Sequence, residues 1–342
     1  MPEIVVDNDP NTPAPEAAPA APPAPISRRL MPFAPLVIAM LAQTALIGTG
    51  TGTGTGTHPG TGTADHGPDT PAVCAEEIPT YQECHSEYPN GCSQAAGYDA
   101  YVNLLKNQLI SPDLAPQVAL TRDDYGRLEQ SLPQGLVKNN HEQFMDDLSA
   151  LGDGHVVSLI GYLYYAKKGG KESSNCQLME PTDIDYHIGI GFDPALAGKL
   201  AARTKLTPGE HTQVNQSSVI VEMTPHWRAQ FKPAWSLDAL APVVGRQVRV
   251  VGQLLVDNDH FDPHDDCAFP GAGASCWRAG VWELHPVTRF QVCPSGNCTE
   301  TSGAWTDLED LPTTLALISH GAAPAPPAPP AASTSGTVAP SP

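Results

Sequence analysis

Hydrophobic positions along the chain fall into three regimes: one unbroken apolar run, a stretch of helical spacing, and a series of short alternating segments. The run covers residues 30–47, is interrupted only by Gln43 and Thr44, and follows Arg28 and Arg29 directly. As a helix it would span about 27 Å, close to a hydrocarbon core. The two arginines bias its N-terminal end to the cytoplasm and place everything after Ile47 outside. No Ala-x-Ala cleavage site follows, so an uncleaved anchor and a cleaved signal both stay open.

Helical spacing comes next. Tyr98, Tyr101, Val102, Leu105 and Leu109 predict an amphipathic helix over 94–109. Thr121, with Asp123 and Asp124 in the first turn, opens a second helix that ends before Pro133. Phe144, Leu148 and Leu151 mark a third over 140–151. From His155 the period drops to two. Strands are predicted over 156–165, 183–192, 218–223, 248–256 and 281–292, with a short helix over 234–244. Ile184, Tyr186, Ile188 and Ile190 share one face of the second strand. Three strands, a helix and two strands is the order of an OB-fold barrel. The fold class is therefore mainly β, α+β overall: a five-stranded OB-like barrel (β-β-β-α-β-β) preceded by a small helical segment.

Composition limits how much of the chain packs. Residues 1–27 are Pro/Ala-rich, 48–73 form a Gly/Thr-rich linker, and 301–342 are a C-terminal extension that turns Pro/Ala/Ser/Thr-rich from about 321. Such stretches bury too little apolar surface to offset chain entropy, so disordered tails are expected. What remains is 28–47 as signal or transmembrane segment, 74–152 as a Cys-containing helical segment, and 153–300 as the barrel domain. The net charge of −19 argues against a general nucleic-acid partner, although 153–300 carries 12 Lys/Arg against 16 Asp/Glu, only −4.

Eight cysteines with no Cys-x-x-Cys pair point to disulfides and an oxidising compartment. Cys267 with Cys276, and Cys293 with Cys298, each close a short loop and are expected to pair. Cys74, Cys84, Cys92 and Cys176 are not connected by spacing alone.

Gly161-Tyr162-Leu163, Asp185-Tyr186-His187, Val219-Ile220-Val221-Glu222, Asp257-Asn258-Asp259-His260 and Trp282-Glu283-Leu284-His285-Pro286-Val287 carry a resemblance. Over roughly 150–295 the chain resembles a family of uncharacterised exported bacterial proteins with an OB-fold-like core. The resemblance implies the fold and an extracytoplasmic location, and no particular activity. A cysteine-bearing insertion over 261–279 departs from it.

Two sets of residues could carry chemistry. Asp185 and His187 share a strand face by their i, i+2 spacing, as do Glu283 and His285; Glu222 interrupts an apolar strand, and His260 follows the fourth. Convergence of these six would suit Zn²⁺ or a similar divalent ion, whose bound water could act in a hydrolysis, for example of phosphodiesters. Polar residues on the outward face of a half-solvated sheet would produce the same pattern. No His-Glu-x-x-His spacing, EF-hand loop, Gly-x-Ser-x-Gly elbow or phosphate loop is present. The second set is a ligand face of Tyr162, Tyr164, Tyr186 and Trp227, with Lys167 and Lys168 in the first hairpin; Tyr165 and Trp277 are further stacking candidates. The expected partner is an envelope saccharide or protein rather than nucleic acid, with the membrane reached through 30–47 if that segment is uncleaved.

Overall fold

The computed structural model describes residues 71–311 apart from 76–77 and 95–96. The apolar segment over 30–47, the Gly/Thr spacer and both expected disordered tails lie outside the described residues.

Helix starts are written into the sequence by capping side chains. α1 (Tyr81–Glu87) begins at Thr80, and α2 (Ala100–Lys106) at Asp99, whose carboxylate accepts the amides of Tyr101 and Val102. A short strand β1 (Val118–Leu120) leads to α3 (Arg122–Gln130), opened by a Thr121/Asp124 capping box. A 3-10 turn over His141–Phe144 runs into α4 (Met145–Leu151), which ends on Gly152 with φ of 114°. The helix expected over 94–109 is thus shorter, and starts where Asp99 can cap it.

The barrel follows as β2 (Val156–Lys168), β3 (Tyr186–Gly191), α5 (Pro194–Ala201), α6 (Pro208–Gln216), β4 (Val219–Met223), α7 (Pro225–Phe231), α8 (Leu237–Leu240), β5 (Gln247–Val256) and β6 (Trp282–Val292). Its neighbours run β2-β3-β4-β6-β5, and β5 returns to β2, so the sheet closes. All pairings are antiparallel except β4 with β6, which are parallel through Ile220↔Glu283 and Val221↔Leu284. This closed five-stranded mixed barrel, with a helical insertion between its third and fourth strands, bears out the predicted OB-like order. β1 extends the sheet beside β2, and β7 (Thr306–Asp307) pairs with β6.

Alternation along each strand assigns the two faces. Leu159, Leu163, Ile188, Ile190, Val221, Leu254, Leu284 and Phe290 belong to one continuous core, which Trp227, Trp235 and Leu240 from α7 and α8 join. On the other face, Val102 and Leu105 of α2 pack on Leu255 of β5. α2 therefore lies against the outside of the barrel, while Tyr125 of α3 and Leu148 of α4 join the core cluster.

All eight cysteines are paired: Cys74–Cys92, Cys84–Cys176, Cys267–Cys276 and Cys293–Cys298. The two local pairs are those expected from spacing, and the set fits an oxidising, extracytoplasmic environment. No helix among the described residues is long and apolar enough to cross a membrane.

α3 docks on β6 through polar groups. Tyr125 donates to the carbonyl of Trp282 at 2.6 Å, and the Trp282 amide donates to Oε1 of Glu129 at 2.9 Å. The other oxygen of Glu129 is buried without a hydrogen-bond partner. Burial, reinforced by Asp266 and opposed by Arg278, pushes the Glu129 carboxyl up to about 7. Because the folded value is raised, the stabilisation belongs to the protonated form; it is complete below about 4.5 and lost as pH rises through about 7. Glu129→Gln keeps an acceptor for Trp282 and is expected to raise stability at pH 8 by about 2 kcal/mol. At pH 4 it should have little effect. Urea melts at both values check this.

Candidate functional site

Four strands bring polar side chains into one row on the outside of the barrel. Lys167 of β2 registers with His187 of β3, and His187 with Glu222 of β4. The parallel β4–β6 register then sets Glu222 beside His285. Asp185 and Glu283 sit two residues away from His187 and His285 on the same face. The loop between β2 and β3 supplies Glu172 and Asn175, and the loop between β5 and β6 supplies Asp257 and Arg278. α2 closes over the row and inserts Lys106.

Ion pairing divides the cluster into two halves. In one, Lys106 Nζ lies 3.0 Å from Asp257 and 3.9 Å from Glu283, while Arg278 reaches Glu283 at 2.8 Å and Asp257 at 3.4 Å. Two fixed cations meet two carboxylates. Burial opposes every one of these charges, yet Lys106 and Arg278 hold Glu283 below the usual carboxylate range. Asp257 is held well below it by Lys106 and His260. The carboxylates in turn hold Lys106 and Arg278 firmly protonated.

In the other half, the ion-pair partners of three carboxylates are imidazoles, with Asn175 and Ser174 as neutral donors. His187 Nε2 is 2.9 Å from Glu172 and 3.4 Å from Glu222. His285 Nδ1 is 3.1 Å from Glu283 and 3.3 Å from Glu222, and its Nε2 is 3.7 Å from Asp185. Burial alone would discharge His187, but Glu222 and Glu172 outweigh it and lift the ring to about 9. His285 is raised against burial by Glu222, Glu283 and Asp185. Asp185 is driven up to about 7 by burial and by the charges of Glu172 and Glu222. Glu172 goes the other way, down to about 2, because His187 outweighs its burial. One polar atom each on Asp185 (Oδ1), Glu222 (Oε2) and His285 (Nε2) has no hydrogen-bond partner although it is buried. Buried polar atoms are rarely left so.

Of the six residues proposed for a metal, five converge: Asp185, His187, Glu222, Glu283 and His285. Four of them enter two ligand-capable triplets, Glu172–His187–Glu222 and Asp185–Glu222–His285, each with donor atoms within 4.8 Å of one another, while Glu283 enters neither. His260 is in neither. Its Nδ1 hangs on Asp257 at 2.8 Å, and its ring meets the edge of Trp277. Glu172, Lys106 and Arg278 were not anticipated. Lys106 had a signal, since it follows Val102 by four and so shares the buried face of α2. Glu172, within Glu-Ser-Ser-Asn, had none.

The stacking platforms need correction. Trp227 is in the core, with its indole N–H donating to the Ile110 carbonyl. Tyr186 is also core, with the Arg228 guanidinium 3.7 Å over its ring. Tyr164 is buried against α5 and α6 and bonds the backbone of Asp193; Tyr162 packs beside it. Large aromatics in this barrel are claimed by packing: Trp227, Tyr186 and Tyr164 present no open ring, and Tyr162 is half-buried. Lys167 and Lys168 are exposed as expected. Lys167 Nζ lies 5.1 Å from the Trp277 ring and 5.7 Å from Tyr165, forming a lip beside the buried cluster. A separate cavity of 240 Å³ lies at the start of α2, lined by residues that include Tyr98, Asp99, Tyr101 and Asn139, and shares no residue with the cluster.

Comparison of the chain with protein-family models, curated proteins and solved structures found no match. The class rests on the chain's own geometry: a disulfide-stapled OB-like barrel with a buried imidazole–carboxylate centre on its outer face.

Proposed function

We propose that the chain is an exported, OB-like binding module, released or membrane-tethered through residues 30–47, whose ligand is an envelope saccharide or protein. One observation carries this reading. The Lys167–Trp277 lip stands at the edge of the covered polar centre on the outer face of the second and third barrel strands, between the loops joining strands one to two and four to five. That is where OB barrels take oligomeric ligands. A half-buried indole beside an ammonium suits a sugar face with an acidic substituent. Four disulfides support the extracytoplasmic setting.

The test is binding of soluble peptidoglycan fragments to the full chain by calorimetry, with single-stranded oligonucleotide as the contrast. Trp277→Ala is expected to weaken fragment binding by about tenfold, the loss of one stacking platform at 1–3 kcal/mol. Binding unchanged in Trp277→Ala and Lys167→Ala, or preference for the oligonucleotide, would overturn the reading.

A second reading, metal-dependent hydrolysis of a phosphodiester, is favoured by the convergence of Asp185, Glu222 and His285. Their exposure opposes it: at 1%, 1% and 0%, no substrate atom reaches them without movement of the cover. Turnover of bis(4-nitrophenyl) phosphate with added Zn²⁺ or Mn²⁺, abolished in His285→Gln, would establish it over the binding reading.

A further inference from the structure

The half of the cluster that lacks a fixed cation has the composition of a closed metal site. Once Lys106 and Arg278 are matched to Asp257 and Glu283, the carboxylates of Glu172, Asp185 and Glu222 have only two imidazoles between them. Each of Asp185, Glu222 and His285 keeps one buried polar atom without a hydrogen-bond partner, and the three belong to one ligand-capable triplet. His285 is oriented for coordination. With its proton on Nδ1, toward Glu283 at 3.1 Å and Glu222 at 3.3 Å, the ring would present the Nε2 lone pair to Asp185, 3.7 Å away. A carboxylate behind the far nitrogen is the usual support of a metal-bound histidine. The 3.7 Å separation is near the edge of a tetrahedron with bonds of about 2.1 Å.

We propose that Asp185, Glu222 and His285 bind one divalent transition ion, of which Zn²⁺ is the best fit, as a structural centre. The donors are one nitrogen and two carboxylates, borderline-to-hard ligands that suit Zn²⁺ or Mn²⁺. Asp185 directly precedes β3, and Glu222 and His285 lie on β4 and β6, so the ion braces the barrel at its parallel β4–β6 junction. That junction needs a brace, because β4 and β6 share two register pairs where the β2–β3 ladder has six. The inference is independent of which ligand the Trp277 lip takes. Glu283 is the positioning residue, since it reaches the ion only through His285.

The experiment uses full-length protein purified without an affinity tag. Metal content is measured by mass spectrometry, followed by chelation and calorimetric titration with ZnCl₂. One ion per chain is expected, with a rise in Tm on adding it. His285→Gln and Asp185→Asn should each weaken binding about 100-fold or more, and Glu283→Gln about 10- to 100-fold. His260→Gln should leave it unchanged, as should His226→Gln, which breaks the separate His85–His226 ring contact. Should the ligand variants fail to fold, ¹¹³Cd NMR of the wild-type protein decides, since a nitrogen–oxygen site and a site elsewhere differ in shift and in coupling to His285. No bound ion and no Tm shift with Zn²⁺, Mn²⁺ or Ca²⁺ would overturn the proposal. So would Zn²⁺ affinity that survives His285→Gln and Asp185→Asn, or that is lost in His226→Gln.

Discussion

Lys106→Met is expected to destabilise the folded chain by about 3–5 kcal/mol, one of the two largest single effects in the molecule. The ammonium sits between Asp257 and Glu283, and its side chain and both carboxylates are nearly or fully buried. Removing it leaves two carboxylates on one guanidinium, in a site where water cannot replace the lost charge. Methionine fills similar volume, so the loss reports charge rather than a cavity. A Lys106→Met/Asp257→Asn double variant should recover part of the loss, and the coupling from such a cycle separates the ion pair from general packing. Denaturant melts of the four proteins make the measurement. A cost below about 1 kcal/mol would show that α2 does not seal the outer face of the barrel.

The second large effect is loss of Cys84–Cys176. This bridge joins α1 to the loop between β2 and β3 across 92 residues, whereas Cys293–Cys298 spans 5. Chain-entropy arguments assign about 4–5 kcal/mol to the long closure and about 2 to the short one. The long bridge also fixes the loop that carries Glu172, and Asn175, which donates to Asp185 at 3.2 Å. Cys84→Ser/Cys176→Ser should therefore destabilise by several kcal/mol and speed amide exchange around Asp185 and His187. Cys293→Ser/Cys298→Ser should do neither to the same extent. Equal effects from the two pairs would contradict the docking of the helical preface described above.

These two devices show what the sequence made legible. Barrel order was readable because period-two alternation from Asp183 to Phe192 sorts Ile184, Tyr186, Ile188 and Ile190 from Asp185 and His187, and only one sorting builds a core. The same sorting placed five of the six metal candidates on one face. It did not say whether that face was wet. A polar strand face normally meets solvent, and here it is covered by a helix from a distant part of the chain, which no local pattern encodes. Aromatics were misassigned for a related reason: Trp227 and Tyr186 read equally well as platform or core until the barrel closes. Four helices went unread although their starts were plain, at Thr80-Tyr81, Asp193-Pro194, Thr207-Pro208 and Thr224-Pro225. The disulfide between Cys84 and Cys176 is long-range, so spacing could not supply it.

The centre thus has two halves, one neutralised by Lys106 and Arg278 and one that, in our proposal, a cation at Asp185, Glu222 and His285 completes. X-ray absorption at the zinc edge on the full-length protein, loaded with one equivalent of Zn²⁺, tests this most directly. The account predicts a first shell of nitrogen and oxygen at about 2.0–2.2 Å, with the outer scattering of a single imidazole and no sulfur. A shell containing sulfur, or two or more imidazoles, or scattering unchanged in His285→Gln, would contradict it.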